Sequence, residues 1–315
     1  MRLAVVSMTY NDGYKIKEWR EHFEEYKDEA NHFVIVDNGS EKEYLELLKA
    51  TFPEAIIIER STNGGCTAAY NDGIRYILEN TDDDAIAIVA NDMKLSPKCL
   101  TGMYEFLFKN EQRAIVSTPV LDKESDVVDN FGHTFKYFGV KNDFQGKKIS
   151  DIVGIEKDTD LVSGGFYMAK RLFFEKAGLQ DENLFMYCDE LDTMFSAKKY
   201  NFIISVTSSH YAWHHHIKAA TEERHPQTAY MISRNRMYVA KKHLGVFRSI
   251  MWWFYTGLAV PLWFIVLYFR SRKKIYLSFS KYSFIGGLYG AFGNMKPNKY
   301  SLPIIKEKEV CSKRL

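Results

Sequence analysis

Cysteine and proline are scarce in this chain, with four and seven among 315 residues. Cys66, Cys99, Cys188 and Cys311 lie far apart and no pair has metal-ligand spacing, so neither a disulfide framework nor a cysteine-bound metal is implied. The opening segment, MRLAVVSMTY, lacks the apolar run of a signal peptide. It reads as a strand that enters the fold directly, and the body is expected in the cytoplasm. Internal repeats and low-complexity stretches are also missing. Net charge is small, +2, but unevenly spread. From Lys241 onward fourteen Lys/Arg face two Glu, a balance of +12, which leaves −10 on residues 1–240. An acidic body with a basic, aromatic tail suits a folded domain held near anionic lipid and argues against nucleic acid as a partner.

Apolar β-branched runs alternate with helical patterns through the first ninety residues. Leu3–Met8, Asn31–Val36, Ala55–Glu59 and Ala85–Ala90 read as strands, and Tyr14–Tyr26, Tyr44–Thr51 and Thr67–Asn80 as helices. This order predicts an α/β fold with a mainly parallel sheet flanked by helices. Ligands on such sheets sit beyond the carboxyl ends of the strands. The polar clusters Thr9–Asn11, Asp37–Ser40, Asn63–Gly65 and Asn91–Asp92 fall there. A second regular block runs from Leu161 to Val206, and residues 222–244 read as a polar helix.

Met251–Phe269 is nineteen residues without a charge, close to the length that spans a bilayer core. Trp252, Trp253 and Tyr255 lie at one end, and Tyr268 with Arg270, Arg272, Lys273 and Lys274 at the other. Such aromatic and cationic belts suit the headgroup region. Pro261 is expected to kink or break the segment. The tail therefore reads as interfacial or re-entrant helices in preference to one full span, with a core helix of a soluble protein as the plainer reading.

Five motifs carry candidate chemistry, and each has a bland counterpart. Val36-Asp37-Asn38-Gly39-Ser40 offers a carboxylate to a ribose or base, or is a simple turn. Asn63-Gly64-Gly65, continuing to Asn71 and Gly73, lets backbone approach a ligand closely, or caps a helix. Asn91-Asp92 follows the run AIAIVA and offers an acid to a divalent cation on a diphosphate. Ser163-Gly164-Gly165 precedes Asp189-Glu190-Leu191-Asp192, three carboxylates in four residues. Such crowding suits general-base work, or complements a helix dipole. His214-His215-His216 and Arg234-Asn235-Arg236 are weaker signals for metal or diphosphate.

Taken in order and spacing, these motifs resemble the family 2 glycosyltransferases with the GT-A fold. The resemblance extends especially to the bacterial rhamnosyl- and galactofuranosyl-type branch, and runs from Leu3 to about His243. It implies a catalytic domain over 1–220 and a helical, membrane-associating region over 221–315, on the cytoplasmic face of the membrane. Thr9, Asn11, Asp37, Asn63, Gly65, Asn71, Asn91, Asp92, Gly164, Gly165 and Arg234 would meet the nucleotide-sugar. Asp92 stands where the family's last Asp-x-Asp carboxylate binds Mg2+ or Mn2+, and Ala90 replaces the first. His216 matches a metal- or diphosphate-contacting histidine. The catalytic base falls on Glu190 by register, with Asp189 as substitute and Asp192 matching a second aspartate. The implied reaction is inverting transfer of rhamnose, galactofuranose or a hexose to a lipid- or polymer-linked glycan in cell-surface polysaccharide synthesis. Two alternatives stay open: a sugar-phosphate nucleotidyltransferase, for which MTYNDGYK is a poor triphosphate loop, and a catalytically silent membrane scaffold. Homo-oligomerisation is also open.

Overall fold

The computed structural model describes residues 1–122, 125–136, 139–142, 144–214, 225–299 and 301. The chain divides into two compact units, one holding 1–136 and 140–216, the other 137–139 and 217–315.

The first unit opens with β1 (Leu3–Thr9), α1 (Ile16–Tyr26), β2 (His32–Asp37), α2 (Lys42–Thr51), β3 (Ile56–Glu59), α3 (Gly65–Asn80) and β4 (Ala85–Val89). It continues through β5 (Met93–Leu95), α4 (Cys99–Phe108), β6 (Arg113–Ser117), β7 (Val120–Asp122), β8 (Val128–Asn130), β9 (His133–Lys136), β10 (Gly139–Asn142) and β11 (Glu156–Asp158). It closes with β12 (Phe166–Lys170), α5 (Arg171–Ala177), α6 (Asp189–Lys199), β13 (Ile203–Thr207) and β14 (Ala212–His214).

Eight strands form the main sheet in the order β11-β13-β6-β12-β4-β1-β2-β3. β3, β2, β1 and β4 run parallel, as the continuous apolar strands require when both faces are covered. β12 then inserts antiparallel between β4 and β6. The sheet is therefore mixed: four parallel strands from the first ninety residues lie on one side of β12, and the parallel pair β6 and β13 on the other. Ile16, Trp19, Phe23 and Tyr26 repeat at helical spacing and bury one face of α1 on the sheet. Trp19 packs on Phe52 at 4.5 Å between ring centroids, and Phe23 meets Phe33 edge-on at 4.9 Å. Burying a phenylalanine of this kind contributes about 2 kcal/mol.

The chain leaves β1 toward β2 on one side, while β4 pairs with β1 on the other. The carboxyl ends of β1 and β4 thus mark a topological switch point, where such sheets open a crevice. A second sheet of short strands, β5-β14-β7-β8, begins directly after it at Met93.

The second unit contains α7 (Gln227–His243), α8 (Val246–Trp253), α9 (Val260–Ser271) and α10 (Ile275–Ala291). The residues between α8 and α9, Phe254–Ala259, form a π-helical turn, so Val246–Ser271 is one continuous helical stretch. Pro261 does not break it. Proline clashes with the carbonyl four residues back, and here that residue is Gly257 inside the widened turn. The stretch is long and apolar enough to cross a membrane, with mean hydropathy 1.7 and 22% of its most apolar window buried. Phe247, Leu262, Trp263 and Phe269 are exposed on it. α10 packs on α7 through glycines. A Cβ at Gly286 would strike the Tyr230 carbonyl and one at Gly290 the Arg234 carbonyl. Ser233 and Ser283 hydrogen-bond at 2.8 Å across the same contact.

Candidate functional site

The loops at the switch point are tied to one another by side chains. Asn11 takes a left-handed backbone (φ 52°). Its N–H donates to Ser40 Oγ at 2.9 Å, and its Oδ1 accepts from the Glu41 N–H at 2.8 Å. Thr9 is fully buried, with its hydroxyl 2.5 Å from that of Tyr44. Asn91 donates to Asp12 at 2.7 Å and to Thr9 at 3.4 Å, joining the ends of β4 and β1. Asp37 accepts from the Ser40 N–H at 3.1 Å within its own turn, while its Oδ1 is buried with no hydrogen-bond partner. An unpaired buried carboxylate oxygen costs free energy unless some donor reaches it.

Asn38 and Asn63 link the next two loops. The Asn38 amide donates to Asn63 Oδ1 at 3.0 Å, and its Oδ1 accepts from the Gly64 N–H at 3.1 Å. Gly65 has φ +85°, and a Cβ there would strike the Phe185 carbonyl. Its smallness serves a protein backbone and not an open ligand space. Asn71 is 1% exposed, and its amide holds Gln180 through both its N–H and carbonyl and reaches Glu182 at 3.0 Å. It pins the segment that leads to the acidic cluster.

Asp92 is the most strongly polarised carboxylate of this end. Its Oδ1 lies 3.1 Å from His214 Nε2 and its Oδ2 accepts from Lys15 at 3.3 Å. Burial pushes its pKa up, but the His214 hydrogen bond, the His214 charge and the Lys15 charge outweigh burial and hold it at about 2. Asp92 is therefore ionised across the physiological range. Lys15 and His214 were not singled out from sequence, where the triple histidine pointed to His216. That residue lies outside the described residues. Period-2 alternation offered a clue: His214 shares a strand face with the buried Ala212. Among the described residues no three His, Cys, Asp or Glu converge as a metal cage.

The second acidic group begins α6. Phe185, Tyr187 and Cys188 all have positive φ, between 61° and 71°, a rare run for residues with side chains. The coil delivers Asp189 and Glu190 to the helix start, where their charge complements the dipole. Asp189 is 8% exposed. Burial, reinforced by the Asp192 charge, raises its pKa against the lowering effect of its own backbone hydrogen bond and of Glu190. Glu190 is partly exposed and Asp192 is buried.

The two acidic groups meet at Gly164-Gly165. A Cβ on Gly164 would sit 3.1 Å from Glu190 Cβ and 3.2 Å from its Oε2. One on Gly165 would sit 3.5 Å from Ala90 Cβ and 3.8 Å from the His214 ring. Gly165 O also accepts from the Ala90 N–H at 2.9 Å. A single absent methyl thus separates Glu190 from the backbone at 164 and His214 from that at 165, and His214 lies 3.1 Å from Asp92. Tyr70 feels the charges of both Asp189 and Asp92, which add to burial in raising its pKa. Arg234 belongs to the second unit, where it is 2% exposed and donates to Asn235 Oδ1 at 2.9 Å and Met295 O at 3.1 Å.

This mixed sheet with flanking helices is a GT-A fold. The fold is shared with the Pyrobaculum calidifontis mannosyltransferase PcManGT solved with GDP-Man and Mn2+, at 12% identity and a TM-score of 0.56 over 92% of this chain and 86% of that one. It is shared too with GalNAc-T7 solved with UDP, GalNAc and Mn2+, at 11% identity and a TM-score of 0.61 over 82% of this chain. This chain's match spans about half, 51%, of the GalNAc-T7 chain. The low-salt glycan biosynthesis hexosyltransferase Agl10 of Haloferax volcanii is 23% identical over 273 residues, 85% of each chain. Residues 4–175 match the model of glycosyl transferase family 2. The chain belongs to that family and is a glycosyltransferase.

Proposed function

We propose that the first unit transfers a sugar, with inversion, from a nucleoside-diphosphate sugar to a lipid- or polymer-linked glycan in cell-surface polysaccharide synthesis. The observation that carries this reading is the meeting of Asp92–His214 and Asp189–Glu190 across Gly164-Gly165. One group suits the leaving diphosphate and the other an attacking hydroxyl. The transferred sugar is a hexose or deoxyhexose, rhamnose and galactofuranose included. A hexosyltransferase relative supports this range.

The donor's nucleoside takes the β1–β2 side. The unpartnered Asp37 Oδ1 accepts from it, and Asn11, Asn38 and Asn63 hold the loops that frame it. Asp92 Oδ1 and His214 Nε2, 3.1 Å apart, have the spacing of adjacent ligands on one hard cation. With alanine at position 90 this is a minimal donor set, and it fits an ion that keeps waters and phosphate oxygens as its other ligands. Both solved relatives were obtained with Mn2+. Bound there, Mn2+ or Mg2+ supplies positive charge to the diphosphate as it leaves. Lys15 adds a second cation at the same point. Glu190 takes the proton of the acceptor hydroxyl, and Asp189, buried behind it, holds Glu190 in place and tunes its basicity. Gly164 lets acceptor and base approach without a side chain between them.

The second unit carries the membrane contact on the cytoplasmic face. The exposed apolar side chains of Val246–Ser271 and the basic residues at its end support that reading. Replacing Phe247 and Trp263 by glutamate releases the protein from cell membranes on fractionation. A double variant that still sediments with membranes refutes the assignment.

The test of the transfer reading is turnover of a panel of UDP-, GDP- and dTDP-sugars by purified protein with Mn2+ or Mg2+, with donor hydrolysis as a readout that needs no acceptor. Wild type turns over at least one donor, and Asp92→Ala and Glu190→Gln do not. Activity unchanged in both variants removes these residues from the mechanism. A wild type that binds but never turns over donor is the silent scaffold.

A further inference from the structure

A cleft of about 460 Å3 opens between α1 and the small sheet; Asp92 stands on its wall, and the transfer reading uses none of its other lining residues. Its size is that of a small-molecule site. We propose that it is a subsite for a neutral saccharide unit of the acceptor glycan, one that is not itself being glycosylated; the acceptor part of this inference rests on the transferase reading above.

The walls specify the occupant. Register sets Leu121, Trp213 and Lys94 side by side across β7, β14 and β5, on one face of the sheet. The Trp213 indole is fixed from several directions. Its Nε1 donates to Ser125 O at 3.1 Å, Tyr211 meets it edge-on at 4.9 Å, and the Lys94 ammonium sits 5.8 Å from its ring. It is a prepared aromatic platform. Across the cleft, Glu18 and His22 share one face of α1, four residues apart. His22 Nδ1 is buried without a hydrogen-bond partner. Burial lowers this imidazole's pKa and keeps it neutral, ready to donate or accept. Asp126 closes a third side.

Charge excludes the obvious competitors. Glu18, Asp92 and Asp126 outnumber Lys94 in the lining; Lys94 pairs with Glu25 at 3.6 Å and Asp126 with Lys148 at 3.4 Å. A phosphate that arrives without a cation is repelled by such walls. A lipid tail would desolvate the carboxylates and the imidazole without offering them a hydrogen bond. A pyranose satisfies both demands, since its C–H face lies on an aromatic ring while its hydroxyls donate to carboxylates. The reacting hydroxyl itself must reach Glu190 beyond the glycines, so the unit held here is a neighbouring one. Holding it would orient the acceptor and supply part of the proximity effect.

Saturation-transfer NMR with millimolar methyl glycosides of glucose, galactose, mannose, rhamnose and N-acetylglucosamine tests this on the full chain. At least one glycoside receives saturation from wild type. The signal falls at least fivefold in Trp213→Leu and in Ser125→Trp, which fills the cleft, and it persists under saturating UDP or GDP with Mn2+. Unchanged melting temperatures in either variant exclude unfolding as the cause. The inference is overturned if no glycoside binds, if binding survives in both variants, or if nucleoside diphosphate displaces it. Thermal stabilisation by nucleoside diphosphate with Mn2+ reads the donor site separately. If that stabilisation is intact while glycoside binding fails, the cleft inference falls alone. If it is absent while glycosides bind at Trp213, the transferase reading falls and the acceptor assignment falls with it.

Discussion

Asp92 is half-buried and Asp189 buried, both in the first unit, and their protonation is driven in opposite directions. Desolvation raises both. Asp92 has a histidine and a lysine within hydrogen-bond reach, and they override burial. Among the described residues no such cation offsets the burial of Asp189, and another acid, Asp192, raises it further. Pairs of acids pushed apart in this way mark a division of labour, with permanent charge on one side and proton traffic on the other. The comparison also shows that burial alone does not assign a role, because neighbours decide the sign.

The largest break in that comparison comes from Asp92. Asp92→Ala removes the fixed charge that gathers cations at the diphosphate, and kcat/KM for donor turnover falls about 10³-fold, the scale seen when a preorganised electrostatic element is lost. Glu190→Gln is the matching change at the other end. It removes the base but keeps its shape, so kcat falls about 10²- to 10³-fold. Stabilisation of the melting temperature by nucleoside diphosphate with Mn2+ stays intact. A Glu190→Gln enzyme with normal kcat breaks the division.

The pH profile sharpens the comparison without removing either group. The proposed base must be unprotonated to act, and burial raises the pKa of Asp189 beside it. Through Asp189, activity is expected to rise with pH along a limb above the ordinary carboxylate range, while Asp92, at about 2, adds no limb in the working range. Asp189→Asn removes one member of the pair and moves that acidic limb. A limb unmoved in Asp189→Asn counts against Asp189 as the tuning partner. Gly164→Ala has a smaller expected effect. The new methyl forces Glu190 back by a few tenths of an ångström from a 3.1 Å approach. A loss in kcat of about tenfold follows from the misplaced base, measured in the same donor assay.

The parallel half of the sheet was legible in the sequence because its strands are continuous apolar runs bounded by polar turns. Leu3–Thr9 and Ala85–Val89 fall within a residue or two of their expected limits. The reversal of β12 was not legible, since its run FYMAK is as apolar as a parallel strand and direction is set by what precedes it in space. The second sheet escaped for a different reason: all four of its strands, β5, β14, β7 and β8, are only three residues long and do not stand out from the turns around them. His214 was hidden in a run of identical residues. Glycines carried more than their motif showed. Gly164 marks the approach to Glu190, and Gly65 accommodates the Phe185 carbonyl.

The smallest effect concerns how Asp92 is kept ionised. Its folded pKa lies below its ordinary value of 3.8, so its ionisation contributes stability that is fully present above about pH 4 and is lost as pH falls toward 2. Lys15→Met removes one of the two cations that cause the depression. The pKa of Asp92 then moves back upward, and the variant is less stable than wild type at neutral pH. Lys15 and Asp92 side chains keep 26% and 17% of their exposure, so solvent screening holds the difference below about 1 kcal/mol. The gap between the two melting temperatures narrows as the buffer is taken from pH 7 to pH 2.5, because the protonated acid no longer needs its lysine. A gap that widens on acidification reverses the sign and places the charge of Lys15 against something other than Asp92.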